Sequence, residues 1–501
     1  MSLSRLNNPD TIAAIASAHG QGAVGVLRIS GSDAFCVLKK IFAPRRENFE
    51  SHKMYYGKIR SNETKIIDDV IDEVMVCFFA APRSFTREDC VEIYAHGGMF
   101  VLGEILGIVI KNGARLAEPG EFTQRAFLNG RINLAEAEAV MDLISAKTSA
   151  ARRAAVRQLG GGLSQKIQTA RDTILSWLAH IELSIDYPEH EDEARNAAEI
   201  LAECGDLLET LRRLHATSRT GRIIRDGIRT AIIGRPNVGK STLLNAILHE
   251  DRAIVHETAG TTRDALTEQV RIGEIALSLT DTAGLRQTTD PIEKIGIEKT
   301  RSAAHDAELI LYVADATVGL TAEDVEIIND FDQPVIILMN KSDLKTARRA
   351  LPNENFFEGN TPPAKSGAAS AADRTVGAGS AREGSGETFF PKKVPPEVLK
   401  ISAKTGDGLE NLFRRIEEKF IADGVGEGAE AEIITRERHE VLLARAIGCV
   451  EQAERELGAG VPEDLVSVPL RAAYLALGEI LGVEIGDDIV DRIFAEFCLG
   501  K

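Results

Sequence analysis

The chain has 501 residues, with a hydrophobic share of 44% and a charged share of 27%, so it is long enough to form more than one domain. Its formal net charge of -17 argues against indiscriminate nucleic-acid binding, because such binding relies on Lys and Arg to neutralise phosphates. Six scattered cysteines, with no CxxC pair and no Cys/His cluster, argue against disulfides and structural zinc. No apolar run approaches the roughly 18 residues of a membrane-spanning helix, so we expect no membrane association and a cytoplasmic location.

The first part of the chain, residues 1–125, has the pattern of a small α+β domain. Short apolar runs at 24–29, 70–79 and 90–94 predict strands, since Gly and Pro interrupt them. Residues 101–110 predict a helix that ends before Asn112-Gly113.

The remainder predicts a helical domain with a second domain inserted into it. Residues 126–225 and 426–501 show the spacing of apolar residues that is typical of helices. Between them, residues 226–425 alternate apolar strands with helices, which predicts an α/β domain with a mostly parallel sheet. Residues 358–387 are rich in Gly, Ala, Ser and Pro, so we expect a disordered surface insertion there.

Residues 234–241 match the phosphate-loop pattern G-x-x-x-x-G-K-[ST] between an apolar strand and an amphipathic helix. Glycines let backbone N–H groups turn inward around phosphates at a helix N-terminus. Lys240 then reaches the β- and γ-phosphates, and the Ser241 hydroxyl binds Mg²⁺. The residues expected to contact nucleotide here are Asn237, Val238, Gly239, Lys240, Ser241 and Thr242.

Three further motifs follow in the order that guanine-nucleotide-binding domains require. Asp343 offers a carboxylate that accepts from both N1–H and the 2-amino group of guanine, a donor pair that adenine lacks. The sequence therefore predicts GTP binding. The motif residues are Asp281, Thr282, Ala283 and Gly284, then Asn340, Lys341 and Asp343, then Ser402, Ala403 and Lys404.

A switch loop is expected around residues 260–264, where Thr262 would be the second Mg²⁺ hydroxyl. Directly after the Asp-x-x-Gly motif, where many GTPases carry a Gln that orients water, this chain has Leu285. Catalytic help must therefore come from elsewhere. Glu293 and Arg263 are candidates, although their spacing alone is more typical of solvated charges than of catalytic residues.

These motifs, and others outside the GTPase region, resemble the MnmE (TrmE) family of tRNA modification GTPases over nearly the whole chain. The segments that carry the resemblance are 26–31, 84–86, 96–98, 119–123, 125–130, 234–241, 258–264, 281–286, 295–298 and 497–501.

The resemblance implies that a potassium ion lies beside the phosphates, bound by Asn237 together with His256, Thr258 and Thr261. A cation at that position could stabilise charge as an arginine finger does elsewhere. It also implies that Glu293 positions the attacking water when two GTPase domains meet in a homodimer. The nucleotide contacts expected from this loop are His256, Glu257, Thr258, Ala259, Gly260, Thr261 and Thr262.

The resemblance further implies a 5-formyltetrahydrofolate-type site at Arg28, Glu92 and Arg131, with Lys501 nearby. Arg28 has independent support, since it shares a strand face with apolar residues. For Glu92, a solvated strand face is the alternative. The family usually has Lys, Asp and Gln where this chain has Arg131, Asn133 and Glu136.

A terminal helix is predicted, and Cys498 would lie on its apolar face. The pattern alone is typical of a small core residue, and Gly500 with Lys501 argues against a prenylation signal. The resemblance instead implies a thiol that takes part in the modification chemistry. The other residues of that face are Ile489, Val490, Ile493, Phe494 and Phe497.

As a whole, the resemblance implies a GTP-hydrolysing subunit that works with an FAD-dependent partner, in a heterotetramer, on the wobble uridine of certain tRNAs. The product would carry a carboxymethylaminomethyl or aminomethyl group at C5. The alternative is a GTP-switched module for RNA or ribosome assembly that binds no folate and in which Cys498 is structural.

Overall fold

The computed structural model describes residues 10–18, 20–44, 49–61, 70–186, 197–249, 267–281, 307–344, 396–421, 432–483, 485–495, 497 and 500. The chain divides into two compact units. One comprises 1–146, 152–219 and 431–501, and the other comprises 147–151 and 220–430. The insertion expected at 358–387 lies outside the described residues. Within the described ranges, none of the helices is both long and apolar enough to cross a bilayer.

The secondary structure follows the chain from a strand-rich N-terminal region to a helical C-terminus. In order, the elements are β1 Thr11–Ile15, β2 Val24–Ser30, α1 Ala34–Ile41, β3 Phe42–Pro44, β4 Met54–Arg60, β5 Val70–Phe79, β6 Cys90–His96, α2 Met99–Lys111, β7 Ala114–Leu116, α3 Glu121–Leu128, α4 Leu134–Ser145, α5 Ser149–Leu159, α6 Gly162–Asp186, α7 Ala197–Ala216, α8 Ser218–Asp226, β8 Ile228–Ile233, α9 Lys240–His249, β9 Thr267–Ile272, β10 Ile275–Asp281, β11 Leu309–Asp315, α10 Ala322–Asn329, β12 Val335–Asn340, β13 Glu397–Lys400, α11 Leu409–Ile421, α12 Glu437–Gly458, α13 Glu463–Leu481 and α14 Asp487–Ala495.

The first unit contains a seven-stranded sheet in the order β3-β4-β5-β6-β2-β1-β7. Its strands are antiparallel, except that β1 and β7 are parallel. In β2, Leu27 and Ile29 are fully buried in a core shared with α1 and α2, whereas Val26 and Arg28 lie on the opposite, less buried face. This period-2 alternation confirms the interpretation of 24–29 as a strand with one core face.

The helical part of the first unit packs around Trp177, whose side chain is fully buried among residues of α6, α7, α12 and α13. Its indole N–H donates to Glu203 Oε2 at 2.7 Å, so burying the ring leaves no polar atom unsatisfied. Burial of each large apolar side chain contributes about 1.5–3 kcal/mol. This core explains the helical spacing in both sequence segments.

The C-terminal helix differs from the predicted one. Val490 and Phe494 are buried as expected, but Ile489 is 48% exposed, so its assignment to the buried face was wrong. The helix ends at Ala495, and Phe497 N–H donates to the Phe494 carbonyl at 3.0 Å in a turn. This turn lets Phe497 pack against Gly120, which sits at φ 70° and has no room for a Cβ.

The second unit contains a six-stranded sheet in the order β13-β12-β11-β8-β10-β9. All neighbours are parallel except β9, which is antiparallel to β10. Apolar clusters cover both faces, which explains the nearly continuous apolar runs of β11 and β12. The sheet is the mostly parallel one that the sequence predicts, and its strands' carboxyl ends carry the motif loops.

Candidate functional site

The phosphate loop connects β8 to α9 and requires glycine at two positions. Gly234 (φ 151°) and Gly239 (φ 100°) both have backbone angles that favour glycine. A Cβ on Gly234 would lie 2.2 Å from the Val313 carbonyl oxygen, and one on Gly239 would lie 2.3 Å from Asn340 Nδ2. Between them, Asn237 adopts φ 63°, a left-handed conformation that Asn tolerates better than most residues.

Lys240 begins α9 and points its ammonium back over the loop. Its Nζ donates to the carbonyl oxygens of Gly234, at 2.9 Å, and Arg235, at 2.8 Å. Ser241 and Thr242 follow as exposed residues in the first turn, where backbone N–H groups lack partners within the helix. A cation, hydroxyls and backbone N–H groups at one helix N-terminus form a site for phosphate.

Asn340, at the end of β12, links two of the motif loops. Its buried side chain donates from Nδ2 to the Val238 carbonyl at 2.8 Å and accepts at Oδ1 from the Ala403 N–H at 2.9 Å. The Ser402 hydroxyl donates to Asp343 Oδ1 at 2.8 Å, which orients the carboxylate expected to bind guanine. Asp343 and Lys404 are exposed and available to a base.

Lys341 and Asp315 form a contact that the sequence analysis missed. Lys341 Nζ lies 2.6 Å from Asp315 Oδ2 and donates to the Asn237 carbonyl at 3.0 Å. Burial tends to raise the pKa of the Asp315 carboxyl, but bonds from Lys341 and Thr317 outweigh it and lower the pKa. The contact could have been expected, because Asp315 ends β11 and Asn340, which precedes Lys341, ends the neighbouring strand β12.

Several predicted site residues fall outside the described part of the chain. For Asp281, the strand backbone is described and the side chain is not. The others are His256, Glu257, Thr258, Ala259, Gly260, Thr261, Thr262, Thr282, Ala283, Gly284, Glu293, Cys498 and Lys501, and their roles remain predictions.

A second candidate site lies in the first unit, on the face of the N-terminal sheet opposite its core. Arg28 and Glu92 are paired across β2 and β6, and Arg28 Nη2 lies 2.8 Å from Glu92 Oε1. The Tyr94 hydroxyl donates to Glu92 Oε2 at 2.6 Å. Glu92 is therefore held by two partners and is not the solvated strand residue of the alternative interpretation.

Glu92 and Arg131 both line a cavity of about 580 Å³. The guanidinium carbons of Arg131 and Arg28 lie 4.9 and 5.4 Å from the centre of the Phe85 ring. Burial and the charges of Arg87 and Arg28 lower the pKa of Arg131. The cavity thus combines an aromatic ring with excess positive charge. Its other lining residues are His52, Phe79, Pro82, Arg83, Ser84, Phe85, Arg87 and Cys90.

A buried ionic network that no sequence motif predicts anchors the loop that carries Phe85. Arg125, 7% exposed, donates to Glu88 at 3.2 Å, to Glu121 at 2.9 Å and to Asp10 at 2.7 Å. The Ser30 hydroxyl also donates to Glu88, at Oε2 and 2.8 Å. Glu121 precedes Arg125 on the same helix, α3, but Asp10 and Glu88 come from distant segments, so no local pattern signals the whole network.

Comparisons with known proteins identify the family to which the chain belongs. Family models described as "MnmE helical domain" and "GTP-binding protein TrmE N-terminus" match residues 134–498 and 11–131. Proteins named "tRNA modification GTPase MnmE" are similar over 98% of this chain and 99% of their own length. They include those of Desulforamulus reducens (40% identical), Streptococcus pneumoniae (41%) and Heliobacterium modesticaldum (42%).

The similarity spans the N-terminal, helical and nucleotide-binding regions together, and among the described residues the phosphate loop lies against the motifs around Asn340, Asp343 and Ser402. The chain is a GTPase, and it belongs to the MnmE family of tRNA modification GTPases.

Proposed function

We propose that this chain is the GTP-hydrolysing subunit of an enzyme that adds a carboxymethylaminomethyl or aminomethyl group at C5 of the wobble uridine of certain tRNAs. The observation that carries the proposal is the presence, in one chain, of a formed phosphate loop and a second, positively charged cavity around Glu92 and Arg131. A GTP-switched assembly module would not need that second cavity. The names of the similar proteins do not favour this alternative either.

The N-terminal cavity fits a folate of the 5-formyltetrahydrofolate class. Such a ligand has a flat ring with N–H donors and a tail with carboxylates. The Glu92 carboxylate would accept from the ring, the Phe85 ring would stack, and Arg131 with Arg83 and Arg87 would pair with tail carboxylates. When bound, the folate would supply a one-carbon unit. Arg28 would orient the Glu92 carboxylate, and Lys501 is proposed to lie nearby.

The nucleotide site is proposed to bind two cations with GTP. Mg²⁺ would be held by the hydroxyls of Ser241 and Thr262, with Asp281 acting through water. K⁺ would be held by Asn237 with His256, Thr258 and Thr261. The left-handed backbone at Asn237, fixed by the Lys341 bond to its carbonyl, supports this role because it sets the direction of the Asn237 side chain.

Three side chains are proposed to carry the chemistry. Lys240 would release the carbonyls of Gly234 and Arg235 and neutralise phosphate charge in their place. Glu293 would orient the attacking water. The Cys498 thiol would act in the uridine modification. Leu285 cannot bind water, which supports a water-positioning group elsewhere in the chain.

The proposed assembly is a homodimer that joins an FAD-dependent partner in a heterotetramer, binds tRNA and works in the cytoplasm. An apolar row across one sheet face supports self-association: Tyr56 pairs with Met75, Met75 with Tyr94, and Tyr94 with Val26. Tyr56 and Met75 are 38% and 41% exposed. The domains proposed are 1–125, then 126–225 with 426–501, and 226–425.

Two measurements test the proposal. GTP hydrolysis by the purified chain is compared in equal concentrations of potassium and sodium chloride, and we expect faster hydrolysis in potassium. Wobble-uridine modification is then analysed in cells that carry Cys498→Ser, where we expect its loss with GTP hydrolysis retained. Equal hydrolysis rates in the two salts would refute the potassium site, and intact modification in the variant would refute the role of Cys498.

A further inference from the structure

A buried ion pair connects the phosphate loop to α10 in the second unit. Arg235 is the residue after the first glycine of the loop, and its Nε lies 3.1 Å from Asp324 Oδ1. Asp324 is 1% exposed, whereas the Arg235 side chain is 30% exposed. The carboxylate is therefore almost fully removed from water, and its charge is compensated from the phosphate loop.

Asp324 is held rigidly by contacts that do not involve the loop. The Tyr312 hydroxyl donates to Oδ1 at 2.7 Å, and the Thr321 hydroxyl and N–H donate to Oδ2 at 2.8 and 2.7 Å. The Thr321 contacts form the capping box at the start of α10. Asp324 thus provides a fixed point outside the nucleotide site.

Through its ion pair with Asp324, Arg235 anchors the first half of the loop, residues 234–235. Its own carbonyl, and that of Gly234, accept from Lys240 Nζ, so the backbone that holds the catalytic ammonium belongs to the residues next to the ion pair. The second half of the loop has separate anchors, because Lys341 binds the Asn237 carbonyl and Asn340 binds the Val238 carbonyl.

We propose that Arg235 and Asp324 are a positioning pair that holds the first half of the phosphate loop in the shape that receives the phosphates. Neither side chain needs to touch the nucleotide for this. Losing the pair releases the backbone at residues 234–235 and adds an ordering cost to nucleotide binding. Once GTP is bound, its own contacts restore the loop, so the pair acts on affinity and leaves the chemical step unchanged.

The test measures the Kd of a non-hydrolysable GTP analogue, and the kcat and KM of GTP hydrolysis, in full-length variants. We expect Arg235→Ala to raise Kd and KM about tenfold, equivalent to about 1.4 kcal/mol, with kcat within about twofold of the wild type. Arg235→Lys, which keeps the charge, should recover most of the affinity. Tyr312→Phe is the matched control, since it removes the hydroxyl that donates to the same Asp324 oxygen but leaves the ion pair to the loop in place, and it should bind GTP normally.

Arg235→Ala leaves a buried carboxylate uncompensated, which costs stability by itself. The double variant Arg235→Ala/Asp324→Asn removes both charges, and we expect it to bind nucleotide as weakly as the single variant does. The proposal is overturned if the double variant regains wild-type affinity, because the weaker binding of Arg235→Ala is then caused by the uncompensated charge of Asp324 and not by the loss of the ion pair. It is also overturned if Arg235→Ala binds normally, or if Tyr312→Phe weakens binding equally.

Discussion

Asn340 Nδ2 donates to the carbonyl oxygen of Val238 at 2.8 Å, which ties the loop proposed to bind the base to the phosphate loop. The same side chain accepts from Ala403 at 2.9 Å and is 3% exposed. One buried amide therefore aligns three chain segments. Removing the Asn340 side chain should therefore weaken binding of the phosphates as well as of the base.

Asn340→Ala should weaken GTP binding by at least about tenfold and reduce the free energy of unfolding by about 1–3 kcal/mol, because it leaves the Val238 carbonyl and the Ala403 N–H unpartnered in the interior. Nucleotide titration and urea unfolding measure the two effects. Asn411→Ala, at an exposed position of α11, is the control and should change neither. Normal affinity in Asn340→Ala would contradict the linking role.

Asp343→Asn should change the base preference from guanine to xanthine. The amide keeps one acceptor for N1–H but replaces the second acceptor with a donor, which suits the oxygen that xanthine carries in place of the 2-amino group. We expect the affinity for GTP to fall at least about 100-fold and that for xanthosine triphosphate to rise. Competition binding with both nucleotides measures this. An equal loss for both would show that Asp343 does not read the base.

The sequence predicted those parts of the site that lie in local motifs, and it did not predict contacts between residues far apart along the chain. The phosphate loop, Asn340, Asp343 and Ser402 follow from motifs whose spacing is set by neighbouring strand ends of a parallel sheet. Residues that meet only through tertiary packing, such as Arg235 with Asp324, have no local signature. The predicted extent of the terminal helix was wrong for a similar reason. Phe497 packs on Gly120, and the helix ends at Ala495, before Cys498.

The N-terminal cavity provides a further test. Arg131→Met should weaken binding of 5-formyltetrahydrofolate by about tenfold or more, since it removes a charge-assisted contact to a ligand carboxylate. Glu92→Gln should have a similar effect, because a neutral amide pairs poorly with Arg28. Calorimetric titration of the full chain measures both.

Arg60→Met serves as the control for this experiment. Arg60 is exposed on β4 of the same sheet and does not line the cavity, so the variant should bind folate normally. If all three variants bind as the wild type does, the folate lies elsewhere or is not a ligand.

A buried pair between α4 and α12 predicts how stability depends on pH. Glu138 lies 2.8 Å from His439 and 2.9 Å from Arg438. Burial tends to raise the pKa of the Glu138 carboxyl, but His439 and Arg438 outweigh it and hold the pKa well below 4.5. Complete burial lowers the pKa of His439 below 6.5 despite the attraction of Glu138. The second ring nitrogen of His439 has no partner among the described residues, so protonating it would bury an unsatisfied N–H.

As the pH falls below 6.5, His439 is therefore protonated in the unfolded chain before it is protonated in the folded chain. The stability that His439 contributes is full above pH 6.5 and decreases as the pH falls, and that from Glu138 decreases below pH 4.5. Urea unfolding between pH 7.5 and 5.5 should show this slope in the wild type and a shallower slope in His439→Gln. Identical slopes would contradict the assignment.

The most direct test of the account is the nucleoside composition of tRNA from cells that lack this chain. The account predicts that the modified wobble uridine disappears, returns with the wild-type chain, and does not return with Lys240→Ala, which removes the phosphate-binding ammonium. Modified uridine at its normal level in the deleted strain, or full recovery with Lys240→Ala, would contradict the claim that this GTPase acts in wobble-uridine modification.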